Sequence, residues 1–185
     1  MLTLGLDVST ACTGWAVINP DDTYVAMGAI DLSKDVGVYD KAIAVRMELN
    51  RLLLKYPITR VYIEENLQSF RRGFSSAKTL STLARFNGIV SFLAFEVFDI
   101  EPVHLNVNAA RKALGLKLVS KKNGGAGTKV QVLEWVQQDI KRKQHDIQWP
   151  AKQLKSGPRK GLVVLETKCY DMADAYVIAI ASMIM

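Results

Sequence analysis

The segment from Asp171 to Met185 constrains the fold more than any other part of the sequence. Apart from its two aspartates, Asp171 and Asp174, it is apolar on nearly all sides. A helix without a polar face must be covered all round, so this one is expected to pack deep against a sheet.

The strands of that sheet can be read upstream. Leu2 to Val8 reads as a buried strand, followed by Gly14 to Ile18 and Thr23 to Leu32. The turn-forming run Asn19-Pro20-Asp21-Asp22 separates the last two, which predicts an antiparallel meander with Asp7 near the end of its first strand. From Tyr39 to Tyr56, Ala42, Val45, Leu49, Leu52 and Leu53 recur at helical spacing, and Pro57 marks the stop. Arg60 to Glu65 alternates and is rich in β-branched residues, which sends Val61 and Ile63 into the core and leaves Glu64 at the strand's far end. Glu65 is expected on the opposite face, because strand side chains alternate.

A long helix is expected from Ser75 or Ser76 to about Phe98, although Gly88 weakens its continuity. Val103 to Leu105 suits a short strand. Asn106 or Asn108 can cap a helix through Leu114, with Gly115 as its stop. Lys121 to Gly127 is too polar and glycine-rich to bury, which predicts a mobile, substrate-facing loop ahead of a helix from about Thr128 to Lys143. Pro150, Gly157 and Pro158 interrupt the stretch from Gln144 to Lys168, where only Leu162 to Leu165 suggests a short strand. The predicted fold class is α/β, a mixed five-stranded sheet with helices on both faces. Its 185 residues suit a single domain over 1–185.

Composition narrows the functional classes. Cys12 and Cys169 are the only cysteines and lie far apart, matching no paired metal-ligand spacing, so reduced thiols are expected. No basic cluster precedes an apolar stretch near Met1, as a secretory signal would require. The longest apolar run, Ile89 to Phe98, is broken by Ser91 and Glu96 and is short for a membrane span. A cytoplasmic protein without a membrane partner is expected. Charge is uneven: Lys117 to Lys160 holds 11 Lys and Arg against three acids, a net +8, while the whole chain carries +6 and the remainder therefore −2. That asymmetry points to a polyanion held by one region and acids gathered elsewhere.

The acids that stand out are Asp7, Glu64, Asp171 and Asp174. Asp7 interrupts an apolar strand, where an uncompensated charge is costly. Asp171 and Asp174 are three residues apart and share one face of the final helix. Competing readings are a cap on the Ser9-Thr10 turn for Asp7, an exposed strand end for Glu64, and acids favoured by the helix dipole for Asp171 and Asp174. Convergence of all four would suit Mg2+, which prefers oxygen donors and, as a pair of ions, catalyses phosphodiester hydrolysis.

Leu4-Gly5-Leu6-Asp7 with Thr13-Gly14-Trp15-Ala16-Val17, then Ile63-Glu64-Glu65, then Asp171-Met172-Ala173-Asp174-Ala175 running into Ile178-Ala179-Ile180-Ala181, resembles the RuvC-type Holliday junction resolvases in order and spacing. The resemblance spans nearly the whole chain. It implies a ribonuclease H-like fold and a homodimer that grips branched double-stranded DNA, the four-way junction, and makes one nick per subunit. It also implies two Mg2+ ions per site, replaceable by Mn2+, held by Asp7, Glu64, Asp171 and Asp174. Asp7 would bridge the ions, with Glu64 and Asp174 on one side and Asp171 on the other. In-line attack by an activated water would leave 5′-phosphate and 3′-hydroxyl ends. Lys129 matches a lysine that the family uses near the scissile phosphate, Lys121 and Lys122 would contact the DNA backbone, and Phe70 stands where the family places a junction-wedging aromatic, beside Arg71 and Arg72. Ser9-Thr10 departs from the family's usual Gly-Ser, and residues 144–168 are longer and more basic than in bacterial members, a divergence that resembles viral or organellar relatives.

Three rival readings are set against this one. A flap or RNA–DNA hybrid nuclease would share the fold. A sugar kinase or actin-like ATPase needs two lobes, for which this chain is too short. A non-catalytic DNA-binding module would leave the acids unexplained. Gly127-Thr128-Lys129 reverses the order required of a phosphate-binding loop.

Overall fold

The computed structural model describes residues 1–65 and 77–185. Strands β1 (Leu2–Val8), β2 (Cys12–Ile18) and β3 (Tyr24–Asp31) form the expected antiparallel meander. Helix α1 (Val38–Lys55) leads into β4 (Ile58–Glu64), and α2 (Ala77–Phe98) into β5 (Val103–Leu105). Next come α3 (Val107–Ala113), α4 (Thr128–Arg142), the hairpin strands β6 (Ala151–Gln153) and β7 (Val163–Leu165), and α5 (Lys168–Ala181). The main sheet has the order β3-β2-β1-β4-β5, with β4 parallel to β1 and to β5. It is the mixed five-stranded sheet of the sequence expectation.

Alternation along β1 divides the molecule. Leu2, Leu4 and Leu6 turn to one face with Trp15, Val17, Val61 and Ile63, where Val45, Leu49 and Leu52 of α1 and Phe86, Val90 and Phe98 of α2 cover them. Ala16, Ile18 and the half-buried Tyr62 turn to the other face and meet α5. Val107 and Ala110 of α3 and Val132, Val136 and Ile140 of α4 close over the outer side of α5. Every residue from Met172 to Ala181 is buried as a result. Truncating one of these, such as Ile178 to Ala, would cost about 2–5 kcal/mol.

Two glycines let α5 come this close. A Cβ on Gly5 would stand 2.8 Å from Ala179 Cβ and would overlap the Ala175 carbonyl. On Gly14, which lies opposite Asp7 in the β1–β2 register, it would overlap the Asp171 carbonyl. Gly88 differs: α2 continues through it, and nothing lies within 4 Å of where its Cβ would be. It does not interrupt the helix because its neighbours carry the packing.

Of the two candidate caps of α3, Asn106 serves, accepting from the Asn108 and Ala109 amides, and Gly115 follows the helix end with φ 71° as expected. Other local expectations need correction. Glycine-rich residues 121–127 have more local order than expected: Lys121–Asn123 form a 3-10 turn, and Gln131 of α4 bonds to Val119 at 2.8 Å and to Ala126 at 2.7 Å. The hairpin partner β6 was not expected, because its residues are all exposed and show no apolar alternation. Helix α2, whose apolar run was judged short for a bilayer, is by length and composition long and apolar enough to cross one. It packs Phe86, Val90, Leu93, Ala94 and Phe98 into the core.

A buried ion cluster ties α4 to α5. The Tyr176 hydroxyl donates to Asp139 at 2.8 Å, Lys143 pairs with Asp139 at 2.9 Å, and Arg142 pairs with it as well. Burial works to raise the Asp139 pKa, but the donors Lys143, Tyr176 and Arg142 outweigh it and hold the carboxyl below its ordinary value.

Two predictions arise. Gly14→Ala should cost about 1–3 kcal/mol through overpacking, whereas Gly88→Ala should gain roughly 0.5–1 kcal/mol by helix propensity; denaturant unfolding of both variants tests this, and equal effects would refute it. Tyr176→Phe, which removes one donor to a buried carboxylate, should lose about 1–3 kcal/mol at neutral pH. Because the folded Asp139 pKa is depressed, its contribution is full above the ordinary carboxyl value of 3.8 and fades as pH falls through the lower folded value. Urea midpoints of wild type and Asp139→Asn should accordingly converge only in that acidic window.

Candidate active site

Gly5 and Asp7 lie on the same face of β1, two residues apart, so the strand that yields to α5 at Gly5 directs Asp7 along the same side. Parallel pairing of Leu6 with Ile63 brings Glu64 out beside Asp7 at the neighbouring strand end. Helix α5 approaches with Asp171 over Gly14, and Asp174 follows one turn later. Asp7, Glu64 and Asp174 thereby line one cleft of about 440 Å³ with Arg111 and Lys129. Asp171 lines an adjoining cleft of about 570 Å³, which shares Ser9 and Lys129 with the first.

Asp7 is 8% exposed and Asp174 4% exposed. Burial, followed by the charges of Glu64, Asp174 and Asp171 and a hydrogen bond with Glu64, drives the Asp7 pKa well above its ordinary value. Glu64 is also raised, first by burial and then by the Asp174 charge, against the lowering effects of the Asp7 hydrogen bond, Arg111 and Lys129. The two carboxyls are close enough to share a proton, which is how like charges in a low-dielectric site relax when no cation lies between them.

The other two acids have basic partners. Arg111 Nη2 donates to Asp174 Oδ1 at 2.6 Å, and Lys129 Nζ donates to Asp171 Oδ1 at 3.2 Å. Burial works against the Lys129 charge, but Asp171, with Asp7 and Asp174 behind it, raises its pKa. These pairings hold Asp174 and Asp171 toward cations of the protein itself. Among the described residues, no three His, Cys, Asp or Glu side chains stand together as a ready metal shell. The donor chemistry still fits a hard divalent ion, since the convergent atoms are carboxylate oxygens and, among the described residues, the Asp7–Glu64 pair has no ion-pair partner.

The competing reading of Asp7 as a turn cap loses its basis, because Ser9 closes that turn itself. Its hydroxyl donates to the Cys12 carbonyl at 2.7 Å and accepts from the Cys12 amide at 3.1 Å. Glu65 was expected to face away, yet it lines the Asp7 cleft. Strand β4 ends at Glu64, and alternation no longer governs the next residue. Lys121 and Lys122 are exposed on the 3-10 turn before α4. Phe70, Arg71 and Arg72 lie outside the described residues.

Two residues were missed in the sequence. Arg111 holds Asp174, and the Asn87 side chain donates to the Glu64 carbonyl at 3.0 Å. Both sit on helices distant in sequence from their partners. Asn87 had one readable signal: it is a polar residue on the apolar stripe of α2, between Phe86 and Val90.

No family model matches the chain. Among curated proteins, the crossover junction endodeoxyribonucleases RuvC of Rickettsia felis and Rickettsia prowazekii are 25% and 26% identical to it over 96 residues. Those matches cover 47% of this chain and 62% and 61% of the two relatives, so the chain spans less than two thirds of their length. Among solved structures, RuvC of Thermus thermophilus in complex with a Holliday junction substrate superposes with a TM-score of 0.63 at 17% identity, covering 98% of this chain and 91% of that one. The yeast mitochondrial Holliday junction resolvase gives 0.54 at 14% identity, covering 98% and 77%. The structural matches show the ribonuclease H-like fold, and the sequence matches, over about half of the chain, are to the same kind of protein.

Proposed function

We propose that this chain is a magnesium-dependent endonuclease that resolves four-way DNA junctions by paired nicks, leaving 5′-phosphate and 3′-hydroxyl ends. One ribonuclease H-like domain over 1–185 would supply each active site. The observation that carries this reading is that Asp7, Glu64 and Asp174 line one cleft, with Asp171 one turn away and a basic flank beside them. The family relatives are crossover junction endodeoxyribonucleases, and one solved neighbour holds a Holliday junction.

Asp7, Glu64, Asp171 and Asp174 would hold two Mg2+ ions, with Mn2+ able to substitute. When bound, such ions supply the positive charge that activates water and offsets charge on the leaving oxygen. The protein's own groups do the rest. Arg111 keeps Asp174 oriented toward the cleft. Lys129, which lines both clefts, would neutralise a scissile phosphate. Lys121 and Lys122 would grip the backbone nearby, Phe70 would wedge into the junction centre by stacking on a base, and Arg71 and Arg72 would contact the DNA beside it.

Paired nicks need two copies. Met47 and Leu54 of α1 and Phe92 and Phe95 of α2 are exposed at 69%, 89%, 62% and 47%. They lie on two helices joined by the Arg46–Glu96 ion pair, which leaves an apolar surface for a second copy to cover.

Asp174→Asn should keep its affinity for a mobile four-way junction while cutting in magnesium falls roughly 10²-fold or more, the scale set by losing one group that stabilises developing charge. Gel assays with and without the metal decide it: unimpaired cutting rejects the proposed role, and loss of binding alongside cutting points to a structural one. A second readout needs no substrate. At about a hundredfold excess over its dissociation constant, Mg2+ should stabilise the wild type by about 2.7 kcal/mol, roughly 5–10 °C in unfolding temperature. Asp7→Asn should unfold at a higher temperature than wild type without metal, since a buried like-charge contact is removed, and should lose the metal response. Calorimetric scans showing no magnesium shift in the wild type would contradict the two-ion site.

A further inference from the structure

The hairpin β6–β7 belongs to neither core. Of residues 151–165, only Leu154 and Val164 are even half-buried. Two isolated strands are marginal in water, so this one depends on its base. There the Glu166 amide donates to the Pro150 carbonyl at 2.9 Å, the Cys169 thiol donates to the same carbonyl at 3.2 Å, and Trp149 packs on the α4–α5 core. The base is fastened immediately before α5, the helix that carries Asp171 and Asp174.

Its charge is of one sign. Lys152, Lys155, Arg159 and Lys160 are exposed, and no acid occurs between Asp146 and Glu166. Among the described residues the ion pair nearest the hairpin is Glu166 with Lys168, which leaves these four basic groups unengaged. Lys152 also lines the 570 Å³ cleft beside Asp171 and Lys129. Since Lys129 lines the carboxylate cleft as well, a continuous path runs from Asp7 past Lys129 to the hairpin.

We infer that the β6–β7 hairpin is a clamp for the phosphodiester backbone of the strand being cut, with Lys152 contacting phosphates beside Asp171, and Lys155, Arg159 and Lys160 contacting those farther along. This rests on the proposed nuclease reading and adds where the substrate strand leaves the carboxylate cleft. A basic ribbon without acids complements a backbone of repeated single negative charges, each contact releasing counterions. Contacts of this kind position the strand without reading its sequence.

Matched double variants of the full chain test it. Lys152→Ala with Arg159→Ala removes two hairpin charges. Lys55→Ala with Arg60→Ala removes two exposed charges at the opposite end of the sheet, where β4 begins. Binding to a four-way junction is measured in calcium, across a range of salt concentrations. The slope of log affinity against log salt should fall by about two for the hairpin variant, about one per lost phosphate contact, and by less than about 0.5 for the control. Unfolding temperatures of both should match wild type, because all four side chains are exposed. If wild type binds the junction but the two variants show equal slopes, the clamp is overturned while the nuclease reading stands. If wild type does not bind branched DNA, the underlying reading fails first.

Discussion

The contact on which the rest of the structure depends is the approach of α5 to the bare backbone of β1 and β2. Gly5 and Gly14 are the positions where a methyl group would strike the helix. They open a slot into which the small residues Ala175 and Ala179 settle. Because Gly5 and Asp7 share a face, and Gly14 is the register partner of Asp7, this contact also sets how far Asp7 lies from Asp171 and Asp174. The packing that closes the core and the geometry of the acids are one constraint, and a side chain that loosened the first would open the second.

Two buried aspartates show what the acidic cluster lacks. Asp139 and Asp7 are 4% and 8% exposed, so desolvation opposes ionisation of both. Their pKa values nonetheless move in opposite directions. Asp139 is surrounded by donors, Lys143, Tyr176 and Arg142, and stays ionised below the ordinary range. Asp7 meets Glu64 and the charges of Asp174 and Asp171, and is raised. Burial pushes both upward; at Asp139 the donors reverse that push, whereas at Asp7 the like charges add to it. Asp139 is satisfied by the protein, whereas the Asp7–Glu64 pair has negative neighbours and, among the described residues, no ion-pair partner. That unbalanced charge sets the pair apart from a core ion cluster made of the same residue types.

Most of the main sheet could be read in the sequence, because its strands carry strong periodic signals. Leu4 and Leu6 against Gly5 and Asp7, Val61 and Ile63 against Tyr62, and the all-apolar α5 each require burial on known sides, and the five-stranded mixed sheet follows from fitting them together. What escaped was whatever depends on tertiary partners. Arg111 reads as an ordinary surface arginine of a short helix until α3 is laid across α5 and its guanidinium reaches Asp174. Glu65 lines the cleft because the strand ends one residue earlier, a boundary that alternation cannot place. Ala151–Gln153 offered no period because both of its faces are exposed, and the order in 121–127 comes from Gln131, a residue of the following helix. Local pattern reveals which residues must be buried. It is silent on which exposed ones are held.

The charge asymmetry of the sequence acquires a spatial meaning in the fold. The acids occupy the floor of the two clefts, on β1, β4 and the start of α5, while Lys129, Lys152 and Lys168 stand along the walls. On the proposed reading, the Asp7–Glu64 pair of that floor repels a phosphate backbone, and the basic walls would supply the attraction that brings such a strand in. Cations would then relieve the repulsion of the floor itself. The tasks divide for an electrostatic reason: Lys129 would share its charge between Asp171 and the phosphate it would meet, whereas the exposed basic side chains of the hairpin have no ion-pair partner among the described residues. On that reading, separating wall from floor would let a chain of modest net charge attract a polyanion while the Asp7–Glu64 pair stays unneutralised.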